Sequence, residues 1–377
     1  MQTAALAQTQ KGALGYTDGM KRSTYGAIAV AVVGICMGFV MGNMLVHARL
    51  CTVPPAAPDH ELFSWRQSKA AWLDILQGCG GTQSYHLFEE YVASENPKWQ
   101  HTLAHVFGDA LYDTEGVNGT AVCDMQFAQG CFHGFFGRAA QASGVGVIRD
   151  LEPVCYEELP SVPAKNCVHG IGHGLANLSG YTEDGLVRAL ASCDSLVRPD
   201  SPTYCAGGVF MEYNTHLLTD QLPRKETGDL MTPCNAVSTD KKEVCYFWQA
   251  QWWQTIFSNN DTTDQMQAVI QTAALCRQIG SEYHRACFEG IGRASGPAAQ
   301  FDQSVAGALC DSAAAADTDA RLYCRSYAAA LFYFGFNRGV AALTLCAPLK
   351  REDGYICKDY AQHSYNGIGP GPLQTLD

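Results

Sequence analysis

The chain has 377 residues, 47% of them apolar, with 25 basic against 37 acidic side chains and 17 cysteines. That length and apolar content support a sizeable folded core and exclude a low-complexity disordered chain. Only Lys11, Lys21, Arg22, Arg49 and Asp18 carry charge before position 51, so the remainder holds 21 basic and 36 acidic groups, a net charge of −15. This argues against a nucleic-acid partner, which requires a basic face.

The first element in chain order is a membrane anchor. Gly26 to Val46 is an uncharged run of 21 residues, and a helix of that length is about 30 Å long, enough to cross a bilayer. A cleaved signal peptide is the alternative, but its apolar core spans only about 7 to 15 residues and is followed by a small-residue cleavage site. Lys21 and Arg22 abut the N-terminal end, while no Lys or Arg falls between Cys51 and Leu62. The positive-inside tendency therefore makes residues 1–25 a cytoplasmic tail and 26–47 the transmembrane helix, and it places the C-terminal remainder in a periplasmic, lumenal or extracellular space. Gly34, Gly38 and Gly42 form a small-residue stripe on one face of that helix, where two copies can pair as a homodimer. A spacer containing TVPPAAPDH covers 48–65.

Sixteen cysteines lie beyond the anchor, an even number in a compartment where disulfides persist. Seven pairs read as adjacent: Cys123/Cys131, Cys155/Cys167, Cys193/Cys205, Cys234/Cys245, Cys276/Cys287, Cys310/Cys324 and Cys346/Cys357, with Cys51 and Cys79 left to pair with each other. There is no CxxC anywhere, which removes the usual zinc, redox and haem uses of clustered cysteine.

The second members of the pairs recur at steps of 33 to 42 residues (131, 167, 205, 245, 287, 324, 357), and the segments they open are self-similar, as in CFHGFFGRAA, CVHGIGHGLA and CFEGIGRASG. Such a period marks a stacked repeat. Segments such as DGLVRALASC and QSVAGALC, which end on the first cysteine of a pair, have apolar residues at three- and four-residue spacing and read as a second, amphipathic helix. The unit is thus a helical hairpin, with glycines in the cysteine-led helix where a neighbouring backbone presses close. Residues eight apart in one helix lie about 12 Å apart along its axis, beyond the roughly 7 Å that a disulfide spans between Cα atoms. Each pair therefore crosses a chain reversal, from the end of one hairpin to the start of the next, with bonds inside a hairpin as the alternative. The expected fold is all-α: an αα-hairpin repeat solenoid over 66–370 with about one disulfide per repeat, and a loose tail at 371–377.

This period and cysteine placement resemble the disulfide-stapled Sel1-like and tetratricopeptide-like αα-repeat proteins over about residues 98–370, and Cys123/Cys131 has their seven intervening residues. The resemblance implies a right-handed superhelix whose concave face binds a partner, usually without catalysis.

Aligning the repeats on the second cysteine puts His133, His169 and Glu289 at one position, joined by His105, and Asp109, Arg138, His173, Glu212 and Arg293 about a turn further on. His105, His133, Arg138, Glu289 and Arg293 are therefore candidate binding residues along one edge. His169/His173, His101/His105 and Glu212/His216 are each four apart, which places both side chains of a pair on one helical face and suits metal ligation. If adjacent helices carry them, His169, His173, Glu212 and His216 converge on a divalent metal such as zinc; no other cofactor is indicated. A core role for the histidines is the competing reading, and the aromatic run Tyr246, Phe247, Trp248, Trp252, Trp253 reads mostly as core. Neither GxSxG nor a free cysteine beyond the anchor supplies a nucleophile, so no enzymatic activity is assigned. Asn118, Asn177 and Asn260 begin glycosylation sequons. The functional expectation is a membrane-anchored binding or scaffolding domain for a protein, peptide or glycan. A His/Glu metal protein and a structural subunit of a membrane complex are the alternatives.

Overall fold

A computed structural model describes residues 51–52, 65–93, 95, 97–216, 218, 224, 228–258, 262–335, 338–364 and 369. The segments expected to form the cytoplasmic tail (1–25) and the anchor (26–47, with Gly34, Gly38 and Gly42), all of the spacer but Cys51, Thr52 and Trp65, Asn260 and the tail 371–377 lie outside the described residues. Among the described residues no helix is long and apolar enough to cross a membrane.

The described residues fold into α-helices without a strand. In chain order these are α1 (Trp65–Cys79), α2 (Gly81–Ala93), α3 (Pro97–Glu115), α4 (Gly130–Ser143), α5 (Ile148–Glu158), α6 (Ser161–Ser179), α7 (Glu183–Cys193) and α8 (Ser201–Thr215). They continue with α9 (Thr239–Phe257), α10 (Thr262–Cys276), α11 (His284–Ala298), α12 (Gln303–Ala314), α13 (Thr318–Ala330), α14 (Gly339–Cys346) and α15 (Arg351–Asp359). Local chemistry sets several boundaries. The side chains of Thr182, Asp302 and Asp317 accept backbone N–H groups at the starts of α7, α12 and α13, satisfying donors that have no partner inside the helix. Gly144 and Gly180, at φ 68° and 83° with extended ψ, take the chain out of α4 and α6 in a positive-φ conformation that only glycine adopts readily.

The cysteine-led helices form one row that α3 opens: α3 packs on α4, α4 on α6, α6 on α8, α8 on α9, α9 on α11, α11 on α13 and α13 on α15. The intervening helices α5, α7, α10, α12 and α14 pack on members of this row. Seven disulfides join the adjacent cysteines, Cys123–Cys131, Cys155–Cys167, Cys193–Cys205, Cys234–Cys245, Cys276–Cys287, Cys310–Cys324 and Cys346–Cys357, across 8 to 14 positions. Five of them run from an intervening helix to the row helix that comes after it. Closing loops of this size stabilises a fold by about 3 kcal/mol per bond in the chain-entropy model. Cys51 and Cys79 are not free thiols.

Glycines let the row helices approach more closely than other residues would. A Cβ on Gly134 would sit 1.9 Å from the His105 carbonyl oxygen, and one on Gly108 2.1 Å from that of Cys131, so α3 and α4 each press backbone on backbone. Gly208 and Gly172 do the same for α8 and α6, at 1.9 Å from His169 O and 2.0 Å from Cys205 O. The aromatic run on α9 is core: Trp248, Trp252, Trp253, Phe247 and Tyr246 are all buried. Asn118 is exposed in the 3-10 turn Gly116–Val122, whereas Asn177 is half-buried within α6 and lies near the Tyr181 hydroxyl.

Candidate metal centre

The close crossings of α3 with α4 and of α4 with α6 bring five imidazoles from three helices together. His101 and His105 stand one turn apart on α3, His169 and His173 one turn apart on α6, and His133 on α4 lies between the two pairs. The His133 ring centroid is 5.4 Å from that of His101, 5.3 Å from His105 and 4.2 Å from His173. Four of the rings are buried, and His101 is half-buried.

The two pairs are built alike. In the first, His101 donates from Nδ1 to the Phe127 carbonyl at 2.8 Å, and its Nε2 lies 2.9 Å from His105 Nε2. In the second, His173 donates from Nδ1 to Glu212 Oε2 at 2.9 Å, and its Nε2 lies 3.1 Å from His169 Nε2. An imidazole tied through Nδ1 to a carbonyl or carboxylate keeps Nε2 bare, and this is the usual orientation of a metal-ligating histidine. Glu212 is fully buried and is itself held, its Oε1 accepting from the Tyr181 hydroxyl at 2.7 Å and from the Leu218 backbone N–H at 2.9 Å.

His133 differs from the other four. It is 2% exposed and neither ring nitrogen meets a hydrogen-bond partner from the protein. Leaving such groups buried and unsatisfied costs about 1 to 3 kcal/mol each. Ligand nitrogens of His101, His105 and His133 lie within 4.8 Å of one another, as do those of His133, His169 and His173. Adjacent nitrogens of a tetrahedral zinc site are about 3.3 Å apart for metal–nitrogen bonds of about 2.0 Å. The paired Nε2 atoms already approach that spacing, and the third nitrogen has to close by no more than about 1.5 Å.

Burial holds His105, His133 and His169 well below the usual histidine range, reinforced by the neighbouring imidazoles, and takes His173 down to about 3. His101 is lowered too, chiefly by burial, with the Phe127 carbonyl opposing. Arg293 adds to this: its positive charge disfavours a second cation at His101, His169 and His173. Its guanidinium lies 4.5 Å from the Trp248 ring centroid, and the Trp248 ring packs against His169 with centroids 5.3 Å apart. The rings are therefore neutral at neutral pH, the form that binds metal.

Of the residues singled out in the sequence, His105, His133, His169, His173, Glu212 and Arg293 are gathered here. Glu212 orients His173 rather than facing the cluster with it, because it stands one position further along its helix than His173 does. His216 caps the end of α8 and packs against Tyr181 with ring centroids 4.1 Å apart, in neither histidine triad. Arg138 pairs with Asp113 at 2.6 Å, in an ion-pair group with Asp109 and Lys69. Glu289 is buried on α11 and likewise in neither triad. The sequence pattern does not single out Trp248 or Tyr181 for the site, and it marks His101 only as half of an i,i+4 pair. That pairing is the signal available for His101; the contacts of Trp248 and Tyr181 are non-local and leave no mark in the sequence.

No family model, curated protein or solved structure matches this chain.

Proposed function

We propose that this chain is a metal-binding protein whose buried histidine centre holds late d-block ions. The observation that carries the reading is His133, a buried imidazole with two unpartnered nitrogens placed between two pairs of histidines whose Nε2 atoms face each other. The donor set is all nitrogen. Imidazole suits zinc, copper, nickel and iron, and among divalent ions copper binds such a set most tightly. Glu212 and the Phe127 carbonyl fix the tautomers of the ligands, and the glycine crossings fix the separations of their helices.

The architecture that supports this centre is, in our reading, an αα-hairpin repeat solenoid of the Sel1-like or tetratricopeptide-like kind. The unbroken row of cysteine-led helices, with the intervening helices packed on it, supports that. Seven disulfides argue for an oxidising compartment, and the apolar run 26–47 for attachment to a membrane facing it.

Elemental analysis of the purified chain with its disulfides intact tests the proposal. Stoichiometric zinc or copper is expected, and adding metal to chelated protein at about 100 times its Kd is expected to raise stability by about 2.7 kcal/mol. A chain that carries no stoichiometric metal and melts at the same temperature with and without it contradicts the proposal.

A further inference from the structure

The two triads share one ring, and the geometry points to a dinuclear centre in which the His133 imidazole bridges two metal ions. One ion sits with His101 and His105, the other with His169 and His173. This inference rests on the metal reading above. A single tetrahedral ion takes four ligands, whereas five imidazoles meet here, in two Nε2 pairs on different helices with His133 between them. One nitrogen binds one ion, and the two nitrogens of an imidazole point away from each other across the ring, so a single ring can offer a separate ligand atom to each triad. Both nitrogens of His133 are buried without a protein partner, which a ligand to a single ion would not require.

The near-symmetry of the flanking pairs supports the same arrangement. Each pair contributes two Nε2 atoms about 3 Å apart, and each has one ring anchored through Nδ1, His101 on Phe127 and His173 on Glu212. Two metal–nitrogen bonds of about 2.0 Å laid across the bridging ring put the ions roughly 6 Å apart. When the second ion binds, the His133 ring gives up its remaining N–H proton to solvent and becomes an imidazolate. Its negative charge offsets the accumulation of positive charge beside Arg293. The ligand class is thus a pair of imidazole-preferring ions, copper or zinc.

The test uses the full chain with disulfides intact, stripped by a chelator, re-equilibrated with Zn(II), desalted and assayed for metal per chain. Two ions are expected in the wild type. His105→Asn and His169→Asn are each expected to keep one, and His133→Asn is expected to lose both, with affinity at least 100-fold weaker at each site. Cu(II) titration supplies a second readout that needs no variant: the mononuclear electron-spin signal grows to one equivalent, then falls as the second ion couples to the first through the ring. Uptake that stops at one ion, a His133→Asn chain that keeps an ion at wild-type affinity, or two uncoupled Cu(II) signals overturns the bridge while leaving metal binding intact. Uptake of no metal at all overturns the metal reading and the bridge together. Far-ultraviolet circular dichroism verifies the fold of each variant, and if His133→Asn does not fold, the two flanking variants and the copper signal decide.

Discussion

His133 is the residue on which the chemistry turns, and its environment explains why. A histidine that serves only to fill a helical core satisfies at least one nitrogen; the flanking His101 and His173 each satisfy Nδ1, on Phe127 and Glu212, whereas His133 satisfies neither nitrogen. Glu212 then matters for orientation rather than for ligation. Glu212→Gln is expected to weaken the metal held by His169 and His173 by about 10- to 100-fold while leaving the His101/His105 side at wild-type affinity, since outer partners of ligating histidines typically contribute that much. Isothermal titration with Zn(II) measures it, and an unchanged affinity would remove Glu212 from the centre. Arg325 shows a buried charge used for structure alone. It meets Asp311 through Nε and Nη2, both at 2.8 Å, and donates to the Leu345 and Gly307 carbonyls, so it joins α12, α13 and α14. Arg325→Ala is expected to cost about 1 to 3 kcal/mol in urea unfolding, from the carbonyls it leaves unpaired, without altering metal uptake.

At the scale of the helices, the spacing of the cysteines makes the hairpins legible in the sequence, because a bond over so few residues requires a chain reversal. The glycines after the second cysteine are legible too, as places of close backbone approach. Neither period nor spacing carries the depth of that approach, which depends on two helices at once. Gly134 touches the backbone of His105 and Gly174 that of Phe136, so the contacts that close α3 on α4 and α4 on α6 also bring the imidazoles together, while Gly208 against His169 brings the Glu212 helix alongside α6. Gly208→Ala is expected to push α6 and α8 apart and, with a Cβ placed 1.9 Å from a carbonyl oxygen, to lower the melting temperature and metal occupancy together. A variant that melts and binds like the wild type would show that this crossing does not hold Glu212 on its ligand His173. The staples act separately from the site. Replacing Cys193 and Cys205 by alanine opens a loop of sequence separation 12 and is expected to cost about 3 kcal/mol, measured as a lower denaturant midpoint.

At the scale of the whole molecule, five depressed histidines couple stability to pH. Below about pH 6.5 the unfolded chain protonates these rings while the folded one keeps them neutral, His173 down to about 3. Protons therefore bind the unfolded state preferentially, and stability, full above pH 6.5, is lost as pH falls. Each ring contributes a slope of up to about 1.4 kcal/mol per pH unit. Glu212 and Arg293 are the charged groups that face the rings, one from α8 and one from α11. Metal-free protein is expected to lose several kcal/mol between pH 6.5 and 5 in urea titrations, and a flat profile would mean that the rings are solvated. The fold class is legible because repeat and disulfide patterns are local. The centre is only half legible, because His101 meets His133 and Trp248 meets His169 across separate helices.

X-ray absorption at the metal K-edge of the purified chain tests the central claim most directly. The account predicts a first shell of nitrogen at about 2.0 to 2.1 Å with the outer-shell scattering of imidazole rings. Sulfur at about 2.3 Å, or a shell of oxygen without imidazole, would contradict it.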